Sequence, residues 1–310
     1  MTIHFTKMQG AGNDFIILDN RTGQLSHFSL PALAASLCRR RQSIGADGMM
    51  VIGSGDKTCD CSMDFYNADG SIGEMCGNGA RCLVRFCLTH GLTSDSDKVR
   101  IKTSSGMVTG YPFRDTMYTV RLSDPHVYLP ELTLTAENQS WHCAYMELGS
   151  PGLPHLVLPL PPCNTEPIPT AAESPLPFLR PLAQALRSHP ALPKGANVNF
   201  YSLNPDQSVS LFTYERGVED FTLACGTGAG CTGAVLASQG LLPPEKILIH
   251  TLGGDLTISL TLSCDTASVS DHACKIHSPV RACDLHNILL TGPALFVAEG
   301  QILPDSLTGL

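Results

Sequence analysis

Cys76-Gly77-Asn78-Gly79-Ala80-Arg81-Cys82 and Cys225-Gly226-Thr227-Gly228-Ala229-Gly230-Cys231 are two copies of one pattern, C-G-x-G-A-x-C, set 149 residues apart in a chain of 310. Each copy leads into an apolar, helix-compatible stretch. Each stretch ends on a glycine fifteen residues after the first cysteine, Gly91 and Gly240, and each glycine is followed by leucine. Glycine there suits the left-handed residue that closes a helix. Tyr66 and Tyr214 lie ten and eleven residues upstream of their cysteines. A single copy reads equally well as a tight turn holding a buried cysteine. Its recurrence at about half the chain length predicts two domains of the same design, related by a pseudo-two-fold axis.

The chemistry follows from where the first cysteine of each copy sits. A glycine loop opening a helix presents unsatisfied backbone N–H groups, which bind an anion such as a carboxylate. The positive end of the helix also lowers a thiol pKa. Two facing copies would cradle one carboxylate from both sides and set a thiol on each face of the adjacent carbon. One thiolate then removes the α-proton and the opposite thiol delivers another, which inverts the centre. Donors aimed at the carboxylate stabilise the enolate-like charge that develops. Facing thiols also predict a disulfide on air oxidation. Neither copy contains a C-x-x-C redox motif; Cys82, Cys231 and the pair Cys59 and Cys61 are read as packing residues.

Composition narrows the alternatives. Lys and Arg number 20 against 28 Asp and Glu, a formal net charge of -8, without a Lys/Arg-rich run, which speaks against nucleic acid and against an anionic membrane as partners. A hydrophobic share of 43% with 15% charged residues excludes disorder as a description of the chain. No run of 18 apolar residues predicts a membrane-crossing helix. Met1 to Asp14 lacks the pattern of a secretory signal, so thirteen cysteines, an odd number, read as reduced thiols and the compartment as cytoplasm.

Short apolar runs between turn signals predict strands at residues 15–18, 49–52, 99–101, 118–120, 156–158, 209–212, 247–249 and 256–258. Helices are predicted over Leu30 to Arg41, with Ser29 as N-cap, over Leu176 to Ser188, and after Cys76 and Cys225. The class is α+β. Ten prolines cluster between Leu158 and Pro193, read as a surface excursion, partly extended. Ser263 to His286 carries Cys264, His272, Cys274, His277, Cys283 and His286. Their spacings fit no familiar pair of zinc-ligand motifs, so the stretch is read as a surface insertion and no metal is expected.

Several separated motifs then resemble diaminopimelate epimerases, racemases that work without pyridoxal phosphate. They are Gly10-Ala11-Gly12-Asn13-Asp14-Phe15, Gly45-Ala46-Asp47-Gly48, Phe65-Tyr66-Asn67-Ala68-Asp69-Gly70-Ser71, the two cysteine loops, Glu215-Arg216-Gly217 and Leu290-Thr291-Gly292-Pro293-Ala294. Proline racemases share the two-cysteine plan, but the Asn-Asp-Phe and Asn-Ala-Asp-Gly-Ser segments favour the diaminopimelate branch.

The resemblance implies Cys76 and Cys225 as the acid/base pair and the amides of Gly77, Asn78, Gly226 and Thr227, with the Thr227 hydroxyl, as the carboxylate cradle. It implies Asn13, Asn67 and Asn197 as substrate contacts, with Asn199 structural, and Arg216 as partner of the distal carboxylate, a task that suits a guanidinium fork. His155 matches a histidine near the first thiol, and Glu215 a carboxylate near the second whose carbonyl accepts the distal amine. It implies residues 1–123 plus 293–310 as one domain and 124–292 as the other, each a curved, mostly antiparallel sheet around a central helix, with the site in a closing cleft. It implies an amino-acid substrate, no cofactor and a homodimer.

Two positions depart from the family pattern. Leu153 stands where Gly-Asn-Pro-His has its asparagine, unless Ser150 takes that place in a shifted alignment, and Gly48 stands where a glutamine is common. Leu153 keeps open a related racemase with another or a broader set of amino acids. A degenerate amino-acid-binding protein is the non-enzymatic alternative, and the presence of both cysteines weighs against it.

Overall fold

The structure, a computed structural model, describes residues 2–73, 76–93, 95–150, 152–162, 176–263 and 281–307. In chain order the elements are β1 (Ile3–Gly10), β2 (Asn13–Asp19), α1 (Leu30–Leu37), β3 (Gly48–Ser54), β4 (Cys61–Asn67), α2 (Gly77–Thr89), β5 (Val99–Thr103), β6 (Gly106–Arg114), β7 (Met117–Arg121), β8 (Pro125–Ala136), β9 (Gln139–Leu148), β10 (Leu153–Pro159), α3 (Leu176–Arg187), β11 (Asn197–Leu203), β12 (Val209–Glu215), β13 (Asp220–Phe221), α4 (Gly226–Ser238), β14 (Ile247–Thr251), β15 (Gly254–Leu262), β16 (Leu285–Pro293) and β17 (Leu295–Ile302). This is an α+β protein. Of the six Cys and His residues noted between Ser263 and His286, Cys264, His272, Cys274 and His277 lie outside the described residues, as do residues 163–175 of the proline-rich stretch.

The chain divides into two units, Met1–Arg121 with Thr291–Leu310, and Leu122–Leu290. In the first, β17 and β1 pair antiparallel, β1 and β2 antiparallel, β2 and β3 parallel, β3 and β4 antiparallel, β4 and β5 parallel, and β5 and β6 antiparallel. In the second, β8, β9, β10, β11, β12, β14 and β15 repeat that sequence of senses strand for strand. Each unit's first parallel pair is joined through a helix, α1 between β2 and β3, α3 between β10 and β11, because parallel neighbours need a crossover.

Strand alternation divides the side chains between two helices in each unit. In the first, Ile16, Leu18, Met49, Val51 and Tyr66 form a core with Leu33 and Leu37 of α1. In the second, Leu156, Leu158, Val198, Phe200 and Tyr214 form the matching core with Leu179, Ala183 and Leu186 of α3. The two matched tyrosines are thus core residues under α1 and α3. The opposite strand faces meet α2 and α4, whose packing partners are β1, β2, β5, β6 and β7 for α2 and β9, β10, β11 and β15 for α4.

The helix predicted over Leu30 to Arg41 ends at Leu37. The chain turns back after it, with Arg41 at φ 70°, and the N–H groups of Gly45 and Ala46 donate to the carbonyls of Leu37 and Cys38 at 2.9 and 3.1 Å. Those bonds satisfy the carbonyls a longer helix would have used. Both cysteine-loop helices run 13 residues and close alike. Gly91 and Gly240 have φ 63° and 69°. Leu92 N–H donates to Cys87 O at 2.9 Å and Leu241 N–H to Leu236 O at 3.0 Å, with Gly91 to Leu88 and Gly240 to Ala237 at 3.3 and 3.0 Å. That is a paired Schellman closure.

Candidate active site

Cys76 and Cys225 are the N-cap residues of α2 and α4, at φ −105°, ψ 115° and φ −109°, ψ 110°. An N-cap residue has extended backbone while the next amides already point along the helix, so each thiol stands beside the first amides of one helix.

Around Cys76 the first unit builds an asparagine relay. The β1–β2 turn, Ala11 and Gly12 at φ 51° and 88°, sets Asn13 opposite Gly10. A Cβ on Gly10 would meet Asn78 O and Pro293 O at 3.1 Å, so a larger residue there would press the hairpin away from the first turn of α2 by a few tenths of an ångström. Asn78 Nδ2 donates to Asn13 Oδ1 at 2.5 Å, and Asn13 Nδ2 donates to Asp47 Oδ2 at 3.1 Å. Arg40 Nη2 bridges Asp47 and Asp14. Arg81 is fully buried behind this relay and donates to Asn78 Oδ1 at 2.9 Å, Gly77 O at 3.3 Å and Pro293 O at 3.4 Å. Among the described residues no carboxylate pairs with it, and burial pulls its guanidinium down to about 10, still protonated at neutral pH. Asn67 stands apart from the relay at the end of β4, donating to Ser71 Oγ at 2.9 Å. Asp47 and Arg81 were not singled out in the sequence; the fixed Gly-Ala-Asp-Gly and Gly-Ala-Arg-Cys settings were the available signal.

Cys225 is buried, and its Sγ accepts from Gly228 N–H at 3.3 Å and lies 3.5 Å from Thr227 Oγ1. The expectation of a lowered thiol pKa does not hold here. Burial pushes Cys225 well up, and the charge of Glu215 with its hydrogen bond to the thiol adds to that; Thr227 and Gly228 pull the other way with less effect. Taking a thiolate out of water costs more than one helix end returns. Glu215 Oε1 is held by the Thr222 hydroxyl at 2.6 Å. Asn197 Oδ1 accepts from Arg216 N–H at 2.8 Å, and Arg216 Nη1 donates to Lys194 O at 3.1 Å. Lys194 in turn pairs with Glu147, a buried carboxylate that also accepts from Tyr145 Oη at 2.5 Å. Glu147, Tyr145 and Lys194 had no motif to mark them.

His155 lies wholly buried on β10, under α4. Its Nδ1 is 3.2 Å from Asn199 Nδ2, and Asn199 Oδ1 accepts from the Thr213 hydroxyl at 2.9 Å. Burial, with the charge of Arg216, pushes the imidazole down to about 3. Register identifies the counterparts of these three residues. Ile16 pairs with Met49 and Met49 with Tyr66; Leu156 pairs with Val198 and Val198 with Tyr214. Phe15, Met50 and Phe65 therefore hold the places of His155, Asn199 and Thr213. Gly79 and Gly228 confirm the match: a Cβ on Gly79 would meet Met50 and Phe15, a Cβ on Gly228 Asn199 and Thr213.

A family model described as diaminopimelate epimerase matches residues 5–119 and 149–270. The diaminopimelate epimerase of Aquifex aeolicus is 31% identical over 313 residues, covering 98% of this chain and 99% of the relative. That of Acidovorax ebreus is 33% identical over 331 residues, covering 99% and 100%. The chain belongs to the diaminopimelate epimerase family. This is a family of isomerases. Its fold extends further: a probable proline racemase from Agrobacterium radiobacter superposes with a TM-score of 0.70 at 13% identity over 99% of this chain and 94% of that one. A hydroxyproline epimerase from Agrobacterium vitis gives 0.65 at 15% over 97% and 92%.

Both departures from the diaminopimelate epimerase pattern have a structural setting. Leu153, two residues before His155, occupies the place that Asn13 holds two residues before Phe15. It is half-buried and opposite Leu148. At Gly48 an added Cβ would lie 2.5 Å from the Phe65 ring and 2.8 Å from Tyr66 O. With phenylalanine at 65 there is no room for a glutamine stem at 48.

Proposed function

We propose that this protein interconverts LL- and meso-diaminopimelate by proton transfer at the α-carbon, with Cys76 and Cys225 as the acid/base pair. The reading rests on one observation: the two cysteines cap two equal helices, in matching backbone conformation, in two units of one design. Near-full-length similarity to relatives named for this activity supports the substrate. The reaction belongs to lysine and cell-wall precursor synthesis.

The chemical problem is the weak acidity of the α-C–H bond. The amides of Gly77, Asn78, Gly226 and Thr227 donate to the reacting carboxylate, where charge collects as the proton leaves. Inversion requires that one sulfur take the proton while the other gives one from the opposite face. Cys225, held protonated by burial and Glu215, is the thiol that gives, and Glu215 is the carboxylate suited to relieve it of its proton for the reverse reaction. The chemistry needs no pyridoxal phosphate, since the thiols move the proton themselves. Asn13, Asn67 and Asn197 orient the amino acid, and Arg216 takes the distal carboxylate. His155 serves the same centre. The working protein is a cytoplasmic homodimer.

A related racemase with another amino acid is the second reading, and Leu153 in the place of Asn13 favours it. Reduced protein in heavy water, given diaminopimelate and separately glutamate, lysine, proline and histidine, distinguishes the two by NMR. Exchange and inversion at the α-carbon with diaminopimelate alone is the expected result. Exchange with a different amino acid would keep the two-thiol chemistry and move the substrate; exchange with none would overturn it.

A further inference from the structure

We propose that Asn199 and Thr213 are positioning residues that hold His155 as its neutral Nε2–H tautomer, so that it serves the reaction as a fixed hydrogen-bond donor and carries no proton. The role in the reaction rests on the function proposed above; the tautomer does not.

The hydrogen bonds leave one consistent assignment. The Thr213 hydroxyl donates to Asn199 Oδ1 at 2.9 Å, and Asn199 Nδ2 donates to Leu156 O at 2.8 Å. A flipped amide would set its oxygen against the Leu156 carbonyl, two acceptors face to face. The second Nδ2 hydrogen therefore goes to His155 Nδ1 at 3.2 Å, which must accept. The ring proton is then on Nε2. That atom is buried and has no hydrogen-bond partner among the described residues.

A buried donor left open is unusual, and the fold does not demand it. The corresponding place in the first unit is filled by Phe15, against Met50 and Phe65. The second unit thus replaces three apolar side chains by a relay that ends in one free N–H. A donor of this kind suits a carboxylate oxygen brought by the substrate. It does not suit a proton carrier, because protonating the ring would set a second N–H against the Asn199 amide. Burial and Arg216, the charged group acting on the ring, oppose the cation as well.

Ring 15N NMR on the protein labelled at histidine tests this without any substitution. The expected spectrum shows His155 protonated at Nε2 and bare at Nδ1, unchanged from pH 5 to 9. A ring protonated at Nδ1, or one that titrates in that range, overturns the proposal. Asn199→Asp places an acceptor against Nδ1. It should reverse the tautomer, bring a histidine titration into the kcat profile and lower kcat on the order of 10²-fold. Thr213→Ser keeps the hydroxyl and should keep tautomer and rate, whereas Thr213→Val should lose both. An Asn199→Asp protein with unaltered rate and pH profile would sink the positioning role. In Cys225→Ala, where turnover should be lost, diaminopimelate shown to bind should shift the Nε2–H resonance; no shift on binding would overturn the donor role. Failure of the unsubstituted protein to act on diaminopimelate would count against the proposed function and leave the tautomer to the spectrum.

Discussion

The two units share strand senses, crossover helices, capping cysteines and helix closures, and they differ in what lies beneath the capped helix. The first packs Phe15, Met50 and Phe65 there; the second packs His155, Asn199 and Thr213. Behind the cap the contrast is reversed. The first has the buried cation Arg81, and the second has Gly230, where an added Cβ would meet Leu122 at 2.4 Å. Beside the cap, Asn67 of the first stands in the place of Glu215, each directly after its matched tyrosine. A duplicated frame has thus been given opposite electrostatics. A cation backs one thiol and a carboxylate faces the other.

The largest effect should come from removing what the units share. Cys76→Ala and Cys225→Ala should each lower epimerisation by about 10³-fold or more, since proton transfer by a placed group is lost outright. Full activity in either variant, measured by α-proton exchange in heavy water, would end the two-thiol account. Arg81→Met comes next. It removes the buried donor that Pro293 O and Asn78 Oδ1 share, and should cost about 3 kcal/mol of stability in urea unfolding. An unchanged midpoint would mean that the cation does not organise the first cap.

Glu215→Gln tests the contrast from the other side. Its carboxylate holds the Cys225 proton on, so removing the negative charge lowers the thiol pKa. In a Cys76→Ala background, thiolate absorbance should appear at lower pH than with Glu215 in place. With both thiols present, turnover should fall by about 10²-fold, the usual scale for a lost base. A Cys225 titration that stays put would show that burial alone sets it, and one that rises would show that Glu215 favours the thiolate.

The shared half of this comparison was legible in the sequence and the differing half was not. The capped helices, their closing glycines and the strands at 15–18, 156–158 and 247–249 are short-range signals: a glycine loop, a period, a turn. The polar relay joins residues 44 and 14 positions apart through strand register, which no local pattern encodes. Asn199 in a run of Asn-Val-Asn-Phe shows strand alternation, but only the packed fold reveals that its polar face is buried. Arg81 was hidden because an arginine in a helix ordinarily points to water. The Cys225 pKa was misjudged because the helix end is visible in sequence and burial is not.

The smallest effect is the sharpest test of sameness. Gly91 and Gly240 adopt left-handed φ, and a Cβ on either would meet nothing within 4 Å. Substitution by alanine therefore makes no clash, and its cost is that of placing an L side chain in the left-handed region, about 1 kcal/mol. The cost should be equal at the two sites, because both closures use the same pair of backbone bonds. Urea midpoints should fall together with unchanged slopes, and activity should stay near its starting value, since each glycine lies a full helix away from its cysteine. A loss confined to one site would show that the two frames are less alike under load than at rest, and would separate stability inherited from the repeat from stability added to one copy.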